Sequence, residues 1–236
     1  QVAIGFGHGG ARSMHMGAGT MALAIDAAIE KASRVAATLL QTDIEELSFD
    51  KGAFLTNKDQ RSVSIIEVAS AARNSDVMPS LGENGIDTFY KREEAPFTFP
   101  NGCHAAEVEI DPDTGSLKLV NYVMVDDYGS LVNPALTEGQ LHGGVVQGIG
   151  QALEEFVAFD PETGQLLSGS LMDYTAPRAA SFPFFKAHFQ GVPTEANLLG
   201  VKGVGQAGCI AAPQVITHAV LNALQEYNID HIQMPI

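Results

Sequence analysis

The chain of 236 residues is acidic, with 13 Lys and Arg against 28 Asp and Glu and a formal net charge of −15. This charge repels phosphate backbones, and since no basic run is longer than a dipeptide, the sequence argues against nucleic acid as a partner. A hydrophobic content of 45% is enough to bury a full core. No apolar stretch is long enough for a membrane span and no secretory signal is visible, so we expect a cytoplasmic protein without a membrane partner.

The first half of the chain is predicted to contain a long helix, short strands and a short helix. A glycine-rich loop over residues 5–19 leads to Thr20, which is expected to cap a helix that ends near Leu40. The other elements of this half are two strands around a tight turn and a helix capped by Ser62 or Ser64: residues 46–49, 53–55 and 65–73.

The second half is predicted to begin, after a polar joint near residues 80–98, with a β-hairpin whose turn is Asp-Pro-Asp-Thr-Gly at residues 111–115. Pro134 is expected to start a glycine-rich helix. The predicted strands and helices of this half are residues 104–110, 117–125, 134–156, 187–190 and 211–227. Strand pairs packed with helices predict an α+β fold with two αβ subdomains, residues 1–98 and 99–236.

A second glycine-rich loop, at residues 200–208, directly precedes a helix-like run. Gly203, Gly205 and Gly208 fit the dinucleotide fingerprint, in which glycines let backbone N–H groups approach a pyrophosphate at a helix N-terminus. A complete Rossmann unit needs a further strand and an acidic ribose ligand about 20 residues on, and the remaining sequence looks helical. The loop therefore predicts an anion cradle but not a Rossmann domain.

The predicted helix at residues 134–156 carries five glycines between positions 139 and 150. Each interior glycine costs about 0.5–1 kcal/mol relative to alanine, so something must approach the helix backbone closely. One explanation is tight packing against another element. The other is a bulky polar ligand, to which Gln140, His142 and Gln147 would offer donors and acceptors.

Three segments, residues 139–154, 168–178 and 200–208, together closely resemble the C-terminal part of the molybdenum-binding large subunit of the xanthine oxidase family of molybdenum hydroxylases. The hairpin at 106–115 and residues 126–134 and 7–13 resemble the same family in register. Within the family, the chain is most similar to the bacterial branch with a separate large subunit, which includes carbon monoxide and aldehyde dehydrogenases. The resemblance implies the family's second molybdenum-cofactor-binding domain.

The resemblance also implies a cofactor and partners. The cofactor would be molybdopterin cytosine dinucleotide, and the reaction would oxidise a small aldehyde or heterocyclic carbon with oxygen drawn from water. Iron–sulfur clusters and flavin would lie on partner chains or domains, because Cys103 and Cys209 lack the spacing of a cluster site. A first molybdenum domain, an iron–sulfur subunit and a flavin subunit would complete the enzyme, so the chain is expected to be a fragment or a split subunit that is inactive alone.

By the same resemblance, two loops and one helix would bind the cofactor, and no side chain would bind the metal directly. Gln140 and Gln147 would face the pterin or the dinucleotide. Two residues keep an alternative interpretation: Arg12 as a surface cation and His142 as a structural histidine. The implied residues of the two loops are Arg12, Ser13, Met14, His15, Lys202, Gly203, Val204 and Gly205.

Gln206 stands where the family has its base, a glutamate directly after Gly-Val-Gly. An amide cannot accept a proton near neutral pH, so we expect loss of at least the ~10²–10⁴-fold that general-base catalysis supplies, unless a nearby carboxylate substitutes for the glutamate. Three interpretations stay open: part of a molybdenum hydroxylase with a low rate, a cofactor-binding or structural relative without the chemistry, and an unrelated α+β binding module.

Overall fold

The structure, a computed structural model, describes residues 5, 7–74, 85–92 and 96–236. The chain divides into two compact units, one of residues 16–95 and one of residues 1–15 together with 96–236. The predicted division placed residues 1–98 together, whereas the structure groups residues 1–15 with the second half of the chain. The predicted joint near residues 80–98 lies partly outside the described residues.

The smaller unit packs two helices on a three-stranded antiparallel sheet. The sheet has the order β1-β2-β3, with each strand joined to the next by a short turn. Its core is formed by small and β-branched side chains of both helices together with Phe54 of the sheet. The elements are α1 (Gly19–Leu40), β1 (Leu47–Asp50), β2 (Ala53–Thr56), β3 (Ser62–Ser64) and α2 (Ile65–Ala72).

The two predicted helix caps of this unit have different outcomes. Ser64 caps α2 as predicted, since its hydroxyl accepts the N–H of Glu67 at 3.2 Å and the Glu67 carboxylate accepts the N–H of Ser64 at 2.9 Å. The expected cap at Thr20 is wrong. A π-helical turn, Ser13–Ala18, runs directly into α1, so Thr20 lies inside helical backbone and its hydroxyl donates to the Met16 carbonyl at 2.7 Å.

The larger unit contains a second three-stranded sheet of order β4-β5-β6 and two long helices. The predicted hairpin is confirmed: β4 (Asn101–Ile110) and β5 (Leu117–Asp127) pair antiparallel. β6 (Lys186–Phe189) pairs with β5 in parallel, because the chain crosses over through a helix before it returns to the sheet. The mixture of separate sheets and packed helices confirms the α+β class.

The helices of this unit are α3 (Pro134–Leu153) and α4 (Ala207–Ala223). α3 starts at Pro134 as predicted, where the Asn133 side chain accepts the N–H of Leu136 at 3.1 Å. α4 begins four residues before the predicted start at 211. Gly208 and Pro213 are poor helix formers, and their presence in the first turns obscured the helix in the sequence.

Close packing explains three of the five glycines of α3, two of them against α4 and one against the segment that contains Pro177. A Cβ added at Gly144 would lie 3.1 Å from the Cys209 nitrogen, and one added at Gly148 would lie 2.7 Å from the Cβ of Ala212. A Cβ at Gly150 would meet Pro177 at 2.4 Å. Among the described residues, no atom beyond the adjacent helix backbone lies within 4 Å of a Cβ built at Gly139 or Gly143, so packing does not account for these two glycines.

Candidate functional site

Three segments singled out in the sequence meet in the larger unit. The side-chain amide of Gln140 on α3 donates to the Gly205 carbonyl at 2.7 Å, which joins the helix to the loop at residues 200–206. The same loop contacts the first glycine-rich loop, because a Cβ added at Gly203 would lie 2.8 Å from the Cβ of Ala11. These contacts link positions more than 60 residues apart into one site.

The face of α3 beside this junction is open and carries no charge. Within the part of the chain that the structure describes, a Cβ built at Gly139, Gly143 or Gly205 would meet no atom within 4 Å other than the adjacent backbone. Gln140 and Gln147, seven residues apart on the helix, are both exposed on this side. Open glycine backbone and side-chain amides are suited to a large, flat, polar molecule that needs donors and acceptors, such as a pterin or a nucleobase.

The first loop is held in shape by its own side chains. Arg12 Nε donates to the Gly7 carbonyl at 2.9 Å, and His8 Nδ1 lies 2.6 Å from the hydroxyl of Ser13. Ser13 and Met14 are exposed, whereas His15 is buried. The contribution of His8 was missed in the sequence, although its place between two glycines, in Gly-His-Gly-Gly, was available as a signal.

Lys202, which the resemblance placed at the cofactor, forms an ion pair inside the protein. Its Nζ lies 2.5 Å from Oδ2 of Asp127, and Oδ1 of the same carboxylate accepts the N–H groups of Gly129 at 2.8 Å and Val192 at 2.9 Å. Burial alone would raise the pKa of Asp127, but the hydrogen bond from Lys202 and those from the two amides lower the pKa to about 2. The Asp127 carboxylate is therefore ionised at neutral pH.

Gln206 lies on the surface directly before α4. Its carbonyl accepts the N–H of Ile210 at 3.0 Å in the first turn, while its side chain makes no capping hydrogen bond. The N-terminus of a helix favours negative charge, so a carboxylate at this position would be stabilised there as an anion. The neutral amide of Gln206 gains nothing from this field.

His142 on α3 packs against aromatic side chains and away from the glutamine face. Its ring lies edge-on to Phe184 and Phe185, with centroid distances of 6.1 and 5.6 Å, and its Nε2 is 4.0 Å from a carboxylate oxygen of Glu138. These contacts favour the structural interpretation of His142 over a ligand-binding one.

A buried polar network on the β4-β5 hairpin was not anticipated from the sequence. His104 Nδ1 lies 2.9 Å from the Tyr122 hydroxyl, and Nε2 lies 3.2 Å from both carboxylate oxygens of Asp126. Burial, and then the charge of Asp126, raise the pKa of Tyr122. Because a carboxylate accepts hydrogen bonds, Nε2–H of His104 is assigned as the donor to Asp126, which leaves Nδ1 to accept from the Tyr122 hydroxyl. This network fixes the end of β5 from which Asp127 reaches Lys202.

No group of three or more His, Cys, Asp or Glu side chains capable of holding a metal ion occurs among the described residues. Within the same residues, every helix is too short or too polar to cross a membrane.

The family model described as a molybdopterin cofactor-binding domain matches residues 1–183, which is most of the chain. The chain belongs to this family. The resemblance to molybdenum-binding subunits of the xanthine oxidase family is thereby confirmed, and the open glycine and glutamine face of this molybdopterin cofactor-binding domain is consistent with that assignment. The loop at residues 200–208 lies beyond the matched range but is included in the alignments with individual relatives.

Individual relatives extend the match to nearly the whole domain. The nicotine 6-hydroxylase large subunit of Paenarthrobacter nicotinovorans is 34% identical over 235 residues, which cover 99% of this chain and 29% of that protein. A crystal structure of the Cu,Mo-CO dehydrogenase superposes with a TM-score of 0.82 at 29% identity, covering 98% of this chain and 29% of that one. Quinoline 2-oxidoreductase from Pseudomonas putida 86 superposes with a TM-score of 0.80 at 30% identity, covering 98% and 30%. The chain thus spans less than a third of the length of these proteins.

Proposed function

We propose that this chain supplies the second cofactor-binding domain of a molybdenum hydroxylase and that it binds molybdopterin in the cytosine dinucleotide form. The observation that carries the proposal is the hydrogen bond from Gln140 to the Gly205 carbonyl. This bond joins the open face of α3 to the loop that leads to Gln206. Membership of the molybdopterin cofactor-binding family supports the same proposal.

In this proposal the cofactor is held mainly by backbone and amide groups. Gln140, Gln147 and the open positions Gly139 and Gly143 receive the pterin or the nucleotide. The backbone of residues 203–205 approaches the cofactor near the molybdenum. Arg12, Ser13, Met14 and His15 belong to the loop that binds the other part of the dinucleotide, where the cation of Arg12 would offset pyrophosphate charge in a chain of net charge −15.

The proposed reaction is hydroxylation of an aldehyde or heterocyclic carbon with oxygen from water. The bound cofactor supplies the redox chemistry for this step. Two of the relatives described above carry nicotine and quinoline in their names, which favours a nitrogen heterocycle over an aldehyde. The residue at 206 would have to accept a proton from the reacting group, and the amide of Gln206 cannot do so, which predicts a low rate.

The remaining parts of the enzyme are proposed to lie outside this chain, as a first molybdenum domain, an iron–sulfur subunit and a flavin subunit in the cytoplasm. The share of the relatives' length that the chain spans supports this arrangement. So does its content of only two cysteines, Cys103 and Cys209, because an iron–sulfur cluster usually takes four.

The specific observation that favours a second candidate is Gln206 itself. A domain that keeps the cofactor face but lacks a base would be a cofactor-binding or structural relative without hydroxylase activity. Both candidates predict a bound cofactor, and they differ in whether the protein with Gln206 turns over substrate.

The experiment that tests the proposal is molybdenum and pterin analysis of the complete enzyme that contains this chain, followed by assays of the natural protein and Gln206→Glu. Near-stoichiometric molybdenum with cytosine dinucleotide supports the cofactor assignment, and an enzyme without either refutes it. With cofactor present, activity of the natural protein supports the hydroxylase. Activity only in Gln206→Glu shows that the base alone is missing, and inactivity of both proteins on aldehydes and nitrogen heterocycles supports the non-catalytic relative.

A further inference from the structure

We propose that the Asp127–Lys202 ion pair fixes the position of the cofactor loop at residues 203–206, so that Lys202 is a positioning residue and not a cofactor ligand. The inference rests on the proposed function, since it concerns the same loop. It departs from the role that the resemblance implied for Lys202.

The Asp127 carboxylate is held on both of its oxygens. Oδ2 receives Lys202 Nζ at 2.5 Å, and Oδ1 receives the backbone amides of Gly129 and Val192 at 2.8 and 2.9 Å. The side chains of Lys202 and Asp127 are only 11% and 16% exposed. A carboxylate tied to two separate backbone segments offers a fixed point to which the lysine side chain is attached.

The main chain at Lys202 is tied to the same region. Its N–H donates to the Tyr128 carbonyl at 2.9 Å, and the preceding Gly200 carbonyl accepts the N–H of Ser130 at 2.9 Å. The two segments are so close that a Cβ at Gly129 would lie 2.2 Å from the Gly200 oxygen. The start of the loop is therefore anchored through both backbone and side chain.

The loop between Lys202 and Gln206 has a second anchor at its other end. The Gly205 carbonyl accepts the Gln140 amide, and α4 begins at Ala207. Only Gly203 and Val204 lie between the two anchored residues, so the direction in which the chain leaves Lys202 determines where their amides point. Glycine at 203 provides no side chain of its own to hold that direction.

The decisive comparison uses four variants in the complete enzyme that contains this chain. Asp127→Asn keeps an acceptor for the amides of Gly129 and Val192 but removes the charge, while Lys202→Met removes the other partner. The double variant Asp127→Asn/Lys202→Met leaves no unpaired buried charge. Lys118→Met is the matched control, because Lys118 is exposed and lies at the opposite end of β5. Molybdenum per chain and the thermal unfolding midpoint are measured for each.

Each single variant is expected to lower molybdenum per chain on the order of 10-fold. Losses of this size are typical when a residue that supports the ligands of a metal site is removed. Each also lowers the unfolding midpoint. The double variant is expected to recover most of the midpoint but not the molybdenum, which separates positioning from mere stability. Lys118→Met changes neither quantity.

Three results would overturn the inference. The first is an unchanged molybdenum content in Asp127→Asn, which is expected if Lys202 binds the cofactor directly. The second is an unchanged molybdenum content in Lys202→Met. The third is recovery of both molybdenum content and stability in the double variant. If one of these variants cannot be obtained as folded protein, molybdenum per chain is measured instead in Lys202→Arg, which keeps the ion pair. Retained molybdenum supports the inference, and its loss contradicts it. An unsubstituted enzyme without molybdenum would refute the proposed function and not the positioning role.

Discussion

Alanine substitutions at Gly143 and Gly148 should have opposite effects on stability, although the two glycines are five residues apart on α3. Gly148 lies against α4, where the close approach of the two helices leaves no room for a side chain. At Gly143 an added Cβ would have no atom of another described segment within 4 Å. Gly143→Ala and Gly148→Ala therefore form a matched pair. Gly148→Ala tests a glycine that helix packing requires, and Gly143→Ala tests a glycine beside open space.

The magnitudes follow from these surroundings. In both variants alanine favours the helix over glycine by about 0.5–1 kcal/mol, which is the whole expected effect at Gly143. At Gly148 the new Cβ would lie 2.7 Å from the Cβ of Ala212, 2.9 Å from Cδ of Pro213 and 3.0 Å from the Cys209 carbonyl. Overpacking of this kind costs about 1–3 kcal/mol, so the net effect is a destabilisation on the order of 1–2 kcal/mol.

The assay is denaturant unfolding of the cofactor-free protein, combined with molybdenum analysis of the complete enzyme. Gly143→Ala is expected to raise the free energy of unfolding and yet to lower cofactor content, because the added methyl group occupies space proposed for the pterin or nucleotide. Gly148→Ala is expected to lower the free energy of unfolding directly.

Two results would refute this reasoning. If Gly143→Ala is stabilised and retains full cofactor, the open face of α3 is not where the cofactor lies. If Gly148→Ala is as stable as Gly143→Ala, α3 and α4 are not packed as closely as the structure has them.

Gln206→Glu should leave the free energy of unfolding unchanged or raise it by about 0.3–1 kcal/mol, because the new carboxylate lies at the N-terminus of α4. In the complete enzyme the same substitution should raise kcat by about 10²–10⁴-fold, because it restores a general base. A lower unfolding midpoint or an unchanged kcat would contradict this. Because the pKa of Asp127 is lowered from 3.8 to about 2, its contribution to stability is complete above about pH 4 and is lost as the pH falls through 2. The difference in unfolding midpoint between the natural protein and Asp127→Asn should therefore be constant above about pH 5 and shrink in acid, whereas a difference that grows in acid would refute the assignment. Ser64→Ala should cost about 1 kcal/mol of unfolding free energy by loss of the α2 cap, and Ser62→Ala on β3, measured beside it by denaturant unfolding, should cost less.

Elements with local signals could be predicted closely. The Asp-Pro-Asp-Thr-Gly turn identified the β4-β5 hairpin, and Pro134 marked the start of α3. The start of α4 was missed because Gly208 and Pro213, which are poor helix formers, lie in its first turns. The cap predicted at Thr20 is wrong because helical backbone already precedes this residue. Residue types alone also left the five glycines of α3 with two explanations, and each explanation describes some of them.

By itself, the sequence determined the local elements and the family, because turn residues, caps and long motifs act within a few positions of one another. Only the tertiary structure decided which distant groups meet. Lys202 contacts Asp127, 75 residues away, and Gln140 reaches Gly205 across 65 residues. Neither contact has a local signal in the sequence. The residue type lysine does not show whether its side chain binds an anionic cofactor or a buried carboxylate of the protein. Its partner follows from how β5 and the crossover after α3 bring the two segments together.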